Sequence, residues 1–267
     1  DQSQYTLLSN NFSIEWNILD GLRMRAQLGL QKQFTSSDNF LPADHTSFAT
    51  SNNSENYLTR GSYTYGTGES VNIDGNVTLS YSKVFADKHQ IYAGFDYSIG
   101  QDKSYSYTFV AQGFSDSKLD FLGNALQYAK DGAPTGTEEL TRRVGFTGNV
   151  NYSYDNRYYI DGSFRVDGAS QFGSKNKFAP FWSVGIGWNV HNEKILKEHD
   201  VVNRLKIRGS YGETGSQQFE AYQALSTFKS YSGERYILWN GAELMGLGNE
   251  KLKWQVTREL NGGIDLG

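Results

Sequence analysis

The side chains able to do chemistry are few and lie far apart in the chain. His45, His89, His191 and His199 share neither the HExxH spacing nor a His-x-x-x-His spacing, so no zinc site is expected from them. Cysteine is absent, which removes a thiolate nucleophile, a thiolate metal site and a disulfide framework. There is no phosphate loop of the G-x-x-x-x-G-K-[ST] type, no G-x-S-x-G elbow and no D-x-[DN]-x-[DN]-G calcium loop. The stretch GIGWNV from Gly185 lacks the third glycine of a dinucleotide fingerprint, and Glu138 beside Glu139 reads as a solvated pair rather than an acid/base dyad. Catalytic, cofactor and metal residues are therefore expected to be none. Two weaker constellations remain. Arg165, Asp167 and Arg208 are charges set among strand-like residues, where they could line a polar path or form an ion-pair network. Tyr63, Tyr65, Tyr222, Tyr231, Tyr236 and Trp239 fall in loop-like stretches, where they could stack on sugar rings, contact a partner protein, or pack loop on loop.

The elements that must carry these residues show a period of two. Phe12, Ile14, Trp16 and Ile18 alternate with Asn11, Ser13, Glu15 and Asn17, and after a turn Leu22, Met24, Ala26, Leu28 and Leu30 continue the pattern. Helical spacing would need apolar residues at i, i+3 and i+4, which these segments do not offer. The same alternation runs over Val71 to Tyr81, Ile91 to Ile99, Val144 to Tyr154, Tyr158 to Val166, Trp182 to Val190, Leu205 to Tyr211 and Trp254 to Leu266. About nine long strands in an antiparallel meander are predicted. Arg258 interrupts the apolar side of the last of them.

Connections between these strands alternate in length. Short turns fall near Asp20, Asp87 and Asn156; His191 to Asn203 is longer and could hold a helical turn. Long loops run from Gln33 to Glu69, Ala111 to Thr141, Gly168 to Lys177 and Gly212 to Lys251. In a meander every second connection lies at the same end, so short turns share one rim and long loops the other. A net charge of −4 gives no basic footprint for nucleic acid, while an aromatic content of 15% is too high for disorder. A soluble sandwich or barrel also alternates, but with strands of about 5–6 residues. Strands of about 9–13 residues suit a tilted bilayer crossing. Trp16, Tyr81, Tyr152, Tyr154, Tyr158, Trp182 and Trp188 sit near strand ends, as interfacial girdles do. The expected class is all-β, part of a large antiparallel transmembrane barrel, with the apolar face toward lipid and the polar face toward a wet lumen. An odd strand count leads to the expectation of a longer polypeptide, since closed bacterial barrels use even numbers.

Four ordered stretches resemble one family. DNRYYIDGSFRVDGASQFG, from Asp155 to Gly173, is similar to a barrel hairpin ending in Arg-x-Asp-Gly-Ser-Ser-x-Phe. FAPFWSVGIGWNV, from Phe178 to Val190, resembles a Phe-Pro-Ser…Gly-Trp strand. LKIRGSYGETGSQ, from Leu205 to Gln217, resembles Leu-Lys-x-Arg-x-Ser-Tyr-Gly-x-Thr-Gly-x-Gln. GNEKLKWQVTRELNGGIDLG, from Gly248 to Gly267, resembles Gly-Asn-x-x-Leu-Lys-Trp-Glu followed by a Gly-x-Asp strand. These are motifs of the SusC/RagA-type, TonB-dependent outer-membrane transporters of Bacteroidetes. Trp182 stands where that family usually has Pro, Gln171 where it often has Arg, and Gln255 where it often has Glu. Asp1 to Thr141 matches in architecture alone. The resemblance implies that residues 1–267 are a barrel segment of a roughly 22-stranded wall, with the plug and the other strands lying outside it. It implies TonB-energised import of an oligomeric nutrient, glycan first and peptide second, across the bacterial outer membrane, with no enzyme activity and no cofactor. Implied partners are a SusD-like surface lipoprotein, the TonB complex, outer-membrane lipid and the oligosaccharide or peptide itself. A passive porin, a structural or adhesive barrel, and a soluble glycan-binding β-domain are the other readings. In this setting Arg165, Asp167 and Arg208 are read as a lumenal charge network, and the six loop aromatics as substrate or lid contacts.

Overall fold

A computed structural model describes residues 1–48, 58–129, 134–172, 176–194, 203–216 and 221–267, without the side chains of 231–236. The strands are β1 (Gln2–Leu19), β2 (Leu22–Leu41), β3 (Ser62–Phe85), β4 (His89–Gln112), β5 (Gln127–Tyr128), β6 (Thr135–Tyr154), β7 (Tyr158–Ala169), β8 (Phe178–Asn189), β9 (Leu205–Ser216), β10 (Thr227–Tyr236), β11 (Trp239–Gly246) and β12 (Gln255–Leu266). One sheet runs in the order β1-β2-β3-β4-β6-β7-β8-β9-β12, with β5 bonded to β4 off that path, while β10 and β11 form a separate hairpin. The nine long strands of the expected meander are all present in chain order.

Their ends differ from the sequence reading. β2 continues to Leu41, β3 starts at Ser62, β4 reaches Gln112 and β6 starts at Thr135. Backbone hydrogen bonding continues past the point where apolar alternation stops, because polar, β-compatible residues ladder without needing an apolar face. The stretch from Gly212 to Lys251 is likewise not all loop: it holds the end of β9 and the whole β10–β11 hairpin. Trp254 precedes β12 instead of opening it. The segment after β8 opens with a 3₁₀ turn at Val190–Asn192, and residues 195–202 of the expected helical turn lie outside the described residues.

The short turns have a local cause. Ala86 and Asp87, like Asp155 and Asn156, all have positive φ, between 47° and 54°. Two consecutive left-handed residues are the twist-matched connection for a two-residue hairpin. At the first turn Gly21 has φ 79°, and a Cβ there would fall on the Ser82 carbonyl. Only glycine fits both conditions.

Register assigns the faces. Tyr152 of β6 is opposite Ile160 of β7, which is opposite Ile186 of β8, which is opposite Gly209 of β9. One residue along, Asn151, Asp161, Gly185 and Ser210 form the matching polar row, which Asn261 of β12 extends. Among the described residues no second layer covers the apolar rows: Ile160 is 53% exposed and Ile186 62%. A soluble sandwich would bury both. No helix among the described residues is long and apolar enough to cross a membrane.

The chain divides into two units, Asp1–Asn11 with Gly29–Ile73 and Gln101–Leu140, and Phe12–Leu28 with Asp74–Gly100 and Thr141–Gly267. The first holds a small aromatic core in which Phe114 contacts Phe40 at 5.1 Å and Tyr63 at 6.3 Å between ring centroids. The second holds a buried cluster of Ala169, Phe172, Phe181 and Trp254.

At the short-turn end of the second unit, Glu193 ties three residues together. Its carboxylate accepts from the Tyr158 hydroxyl at 2.7 Å, the Trp188 indole N–H at 3.0 Å and Arg157 at 3.2 Å. The rings of Tyr154, Tyr158 and Trp188 stack side by side at 6.5 and 6.4 Å, and the Arg157 guanidinium lies over the first two. The Tyr158 hydroxyl, then the Trp188 N–H and Arg157, hold the Glu193 carboxyl below its ordinary value of 4.5. A group depressed on folding stabilises the fold above its unfolded pKa and loses that contribution as pH falls through the folded value. Glu193→Gln should therefore lower stability at neutral pH and flatten its decline below about pH 4.5, which chemical unfolding across pH will show. A second expectation concerns the faces. Val184→Arg, on the apolar face, should cost about 2–4 kcal/mol in a bilayer, and Ser183→Arg on the polar face much less, measured by unfolding of the folded protein in lipid vesicles.

Candidate functional site

Strand alternation places Asp161, Arg165 and Asp167 of β7, Lys206 and Arg208 of β9 and Asp265 of β12 on one face. Arg165 Nε donates to Asp167 Oδ2 at 2.6 Å, both from β7 two residues apart. Arg208 does not join them: it faces Asp265 of β12 at 3.4 Å. The three charges singled out in the sequence are thus two separate pairs. A third pair, Arg143 with Asp74, passes over Gly100, where any Cβ would collide with the Arg143 guanidinium. Around them the Thr78 hydroxyl donates to Asp96 at 2.7 Å, Asn151 donates to Asp161 at 2.5 Å, and Ser163 shares a hydrogen bond with Ser183 at 2.7 Å. A groove of about 460 Å³ is lined by Ser98, Arg143, Arg165, Asp167, Ser183 and Trp254 among others. The arrangement can hold a polar surface in shape. No group of three metal-ligating side chains occurs among the described residues.

Arg258, which interrupts the apolar side of β12, has a partner there. It is in register with Glu213 of β9 and donates to its carboxylate at 2.7 Å. Trp182, opposite Glu213, meets Tyr211 edge to face at 5.6 Å. An ion pair beside Trp and Tyr suits the headgroup level of a barrel wall.

One aromatic cluster escaped the sequence reading. Phe172 stacks on Trp254 with ring centroids 4.6 Å apart, and Phe181 meets Trp254 edge to face at 5.7 Å. All three are at least nine-tenths buried in a sheet that is otherwise largely exposed. Gly215 completes the contact, since a Cβ at that position would overlap the Phe181 ring. A usable signal was present in the sequence. Phe181 has the parity of Ser183 and Gly185, and an aromatic residue on a polar face needs a covering partner.

The loop aromatics are dispersed. Tyr63 is buried, and its hydroxyl donates to Asp38 at 2.6 Å. It lies well outside the Val71 to Tyr81 stretch, and the Asp38 carboxylate pushes its phenol up to about 12. Tyr65 packs on Phe109 at 6.2 Å. Tyr222 has a positive φ of 65°. Trp239 is exposed at the tip of the β10–β11 hairpin, opposite Tyr236. Tyr231 and Tyr236 belong to β10, and their side chains lie outside the described residues.

No family model matches the sequence. Individual proteins do. TonB-dependent receptor P3 of Formosa agariphila is 28% identical over 263 residues, covering 96% of this chain and 25% of that protein. TonB-dependent receptor SusC of Bacteroides thetaiotaomicron is 28% identical over 205 residues, covering 73% of this chain and 19% of SusC. A structure of the RagAB peptide transporter superposes with a TM-score of 0.81 at 22% identity, over 99% of this chain and 29% of that one. The chain is similar in sequence to TonB-dependent receptors, SusC among them, and shares the fold of the RagAB structure. It spans about a quarter or less of the length of the curated relatives it matches.

The aromatic cluster gives the motifs that carried the resemblance a physical meaning. Phe172 lies in the first of the four stretches that carried the resemblance, Phe181 in the second, Gly215 in the third and Trp254 in the fourth. All four meet at one point, so these four motif positions share one packing contact. Trp254→Ala should cost about 3–5 kcal/mol through loss of buried ring contacts. Gly215→Ala should destabilise as well, and combining it with Phe181→Ala should cost less than the sum of the two single changes. Urea unfolding of the folded receptor in detergent measures both.

Proposed function

We propose that the chain is barrel wall of an outer-membrane receptor that imports an oligomeric nutrient, a glycan in the first instance and a peptide in the second. TonB supplies the energy, a SusD-like lipoprotein acts as the lid, and no covalent chemistry takes place. The observation that carries this reading is the single-layer sheet itself: one face is apolar and exposed, the other polar and ion-paired. On β6 the apolar row from Val144 to Tyr154 spans 11 residues, matching the ~9–11 needed to cross a tilted bilayer. SusC, a TonB-dependent receptor, supports the dependence on TonB, and RagAB, a peptide transporter, supports an oligomeric cargo. Arg165, Asp167 and Arg208 then fix the lumenal wall rather than carry cargo.

The β10–β11 hairpin supports the lid. Ile237, Leu238 and Trp239 at its tip are 78%, 89% and 78% exposed. Three consecutive large apolar side chains in water suit a protein interface. A lid also answers a physical need. A lumen wide enough for oligomers holds each one weakly, and capture between two proteins raises residence through effective concentration. Closure is favoured only by contacts that the cargo makes with the closed state. Changing Ile237, Leu238 and Trp239 together to Ser in the full receptor should abolish co-purification of the lipoprotein while the barrel stays heat-modifiable on gels. Uptake should stop when TonB is removed. Uptake that survives without TonB would make the passive porin the better reading, and a receptor soluble without detergent would exclude a membrane wall.

A further inference from the structure

The first unit contains a cavity of about 860 Å³ between the long-loop ends of β2 and β3 and the segment that follows β4. Tyr63, Tyr65, Phe121 and Tyr128 give it aromatic walls, Leu126 adds to them, and Asp38 is the one charged residue in its lining. A carboxylate in an aromatic enclosure of this size fits a ligand with an apolar stem and a cationic end.

The charge balance agrees. Asp38 accepts from the Tyr63 hydroxyl at 2.6 Å, and no ion pair reaches it among the described residues. No Lys, Arg or His lines the cavity. Residues 38–48, 58–65 and 111–129, which surround it in the chain, hold the carboxylates of Asp38, Asp44, Asp116 and Asp120 against the cations Arg60 and Lys118. The hydrogen bond to Asp38, then burial and the charges of Asp38 and Asp120, push the Tyr63 phenol up to about 12, as a negative field does.

Lipid does not account for the aromatic walls. β3 is continuous from Ser62 to Phe85, so Tyr63 and Tyr65 lie on the same side as Glu69, Val71 and Ile73. On that side Glu69 pairs with Lys32 at 2.7 Å and accepts from Tyr105 at 3.0 Å, a polar row that ends the apolar one. Tyr63 is six residues further along, about 20 Å at the usual rise of a strand. The cavity therefore stands above the lipid on the outer side of the wall, away from the lumen. A lid anchored by lipid stands on the outer leaflet, outside the barrel, so the stretch that joins its anchor to the lid passes this side.

We propose that this cavity receives a lysine or arginine side chain from the membrane-proximal part of the lid lipoprotein, with Asp38 as its counter-ion and the aromatic walls as its packing. The proposal rests on the lid of the import reading and names a contact that holds it.

The test uses the full receptor with its lipoprotein. In detergent, Asp38→Asn should weaken their association about tenfold, as loss of a buried anchor does. Asp38→Glu should keep most of the affinity, and high salt should narrow the gap between wild type and Asp38→Asn. Tyr63→Phe removes the hydrogen bond but leaves the charge, and should bind as the wild type does. Heat-modifiability shows that each variant is folded. In cells, a photoreactive residue in place of Leu126, which is exposed at the cavity, should crosslink to a lipoprotein peptide that contains Lys or Arg. A folded Asp38→Asn variant with wild-type affinity, or a loss in Tyr63→Phe equal to that in Asp38→Asn, would overturn the site. Adducts only to cargo, to a second copy or to the receptor itself would overturn it too. In each of these cases a wild-type receptor that retains the lipoprotein leaves the lid reading standing; one that retains none ends that reading and this proposal together.

Discussion

The constraint on which the rest depends is that this sheet has an apolar face which none of the described residues covers. In a soluble β-protein the apolar rows of one layer are buried by a second layer. Here the rows containing Ile160 and Ile186 remain open over the whole of β6 to β9, while the intervening row is filled with Asn, Asp, Gly and Ser. Water is a poor neighbour for such a surface, and a hydrocarbon layer is a good one. Once lipid is assigned to that side, the alternation requires a wet interior on the other. The strand lengths, the stacked Tyr154–Tyr158–Trp188 row beside Glu193 and the interfacial Arg258–Glu213 pair follow from the same assignment.

A single-layer wall has no core to set its geometry, and the molecule supplies two substitutes. On the polar face, long side chains lie flat over glycines, as Arg143 of β6 does over Gly100 of β4 on its way to Asp74 of β3, so an ion pair can brace strands across an intervening one without filling the interior. At the long-loop end of β7 and β8, Phe172, Phe181 and Trp254 make a small dry cluster that joins the β7–β8 loop, the start of β8 and the entry to β12. In a sheet with so little burial, a cluster of this size carries a large part of the local stability.

The fold was legible in the sequence because a period of two is a strong signal when sustained over about ten residues. All nine long strands, their order and the short turns at Asp87 and Asn156 could be read from it. Strand ends could not. Beyond Leu30 and before Val71 the ladder continues through residues such as Thr35, Ser37 and Tyr65, whose alternation carries no apolar contrast. The β10–β11 hairpin was hidden for the same reason. Of the site residues, Arg165 and Asp167 were legible as a pair because two residues apart on a strand means the same face. The partner of Arg208 was not, because Asp265 lies on another strand and pairing across strands depends on register. Trp254 was misassigned because a lone aromatic before a strand continues its apolar parity equally well whether or not the chain is extended there.

The central claim, that lipid covers one face of this sheet and water the other, is tested most directly by photo-crosslinking along β7 in cells. A photoreactive residue is placed in turn at Ile160, Asp161, Gly162, Ser163, Phe164 and Arg165 of the full receptor, and lipid adducts are quantified by mass spectrometry. The account predicts adducts at Ile160, Gly162 and Phe164 and none at Asp161, Ser163 and Arg165. Adducts spread evenly over all six positions, or absent from all of them, would contradict it.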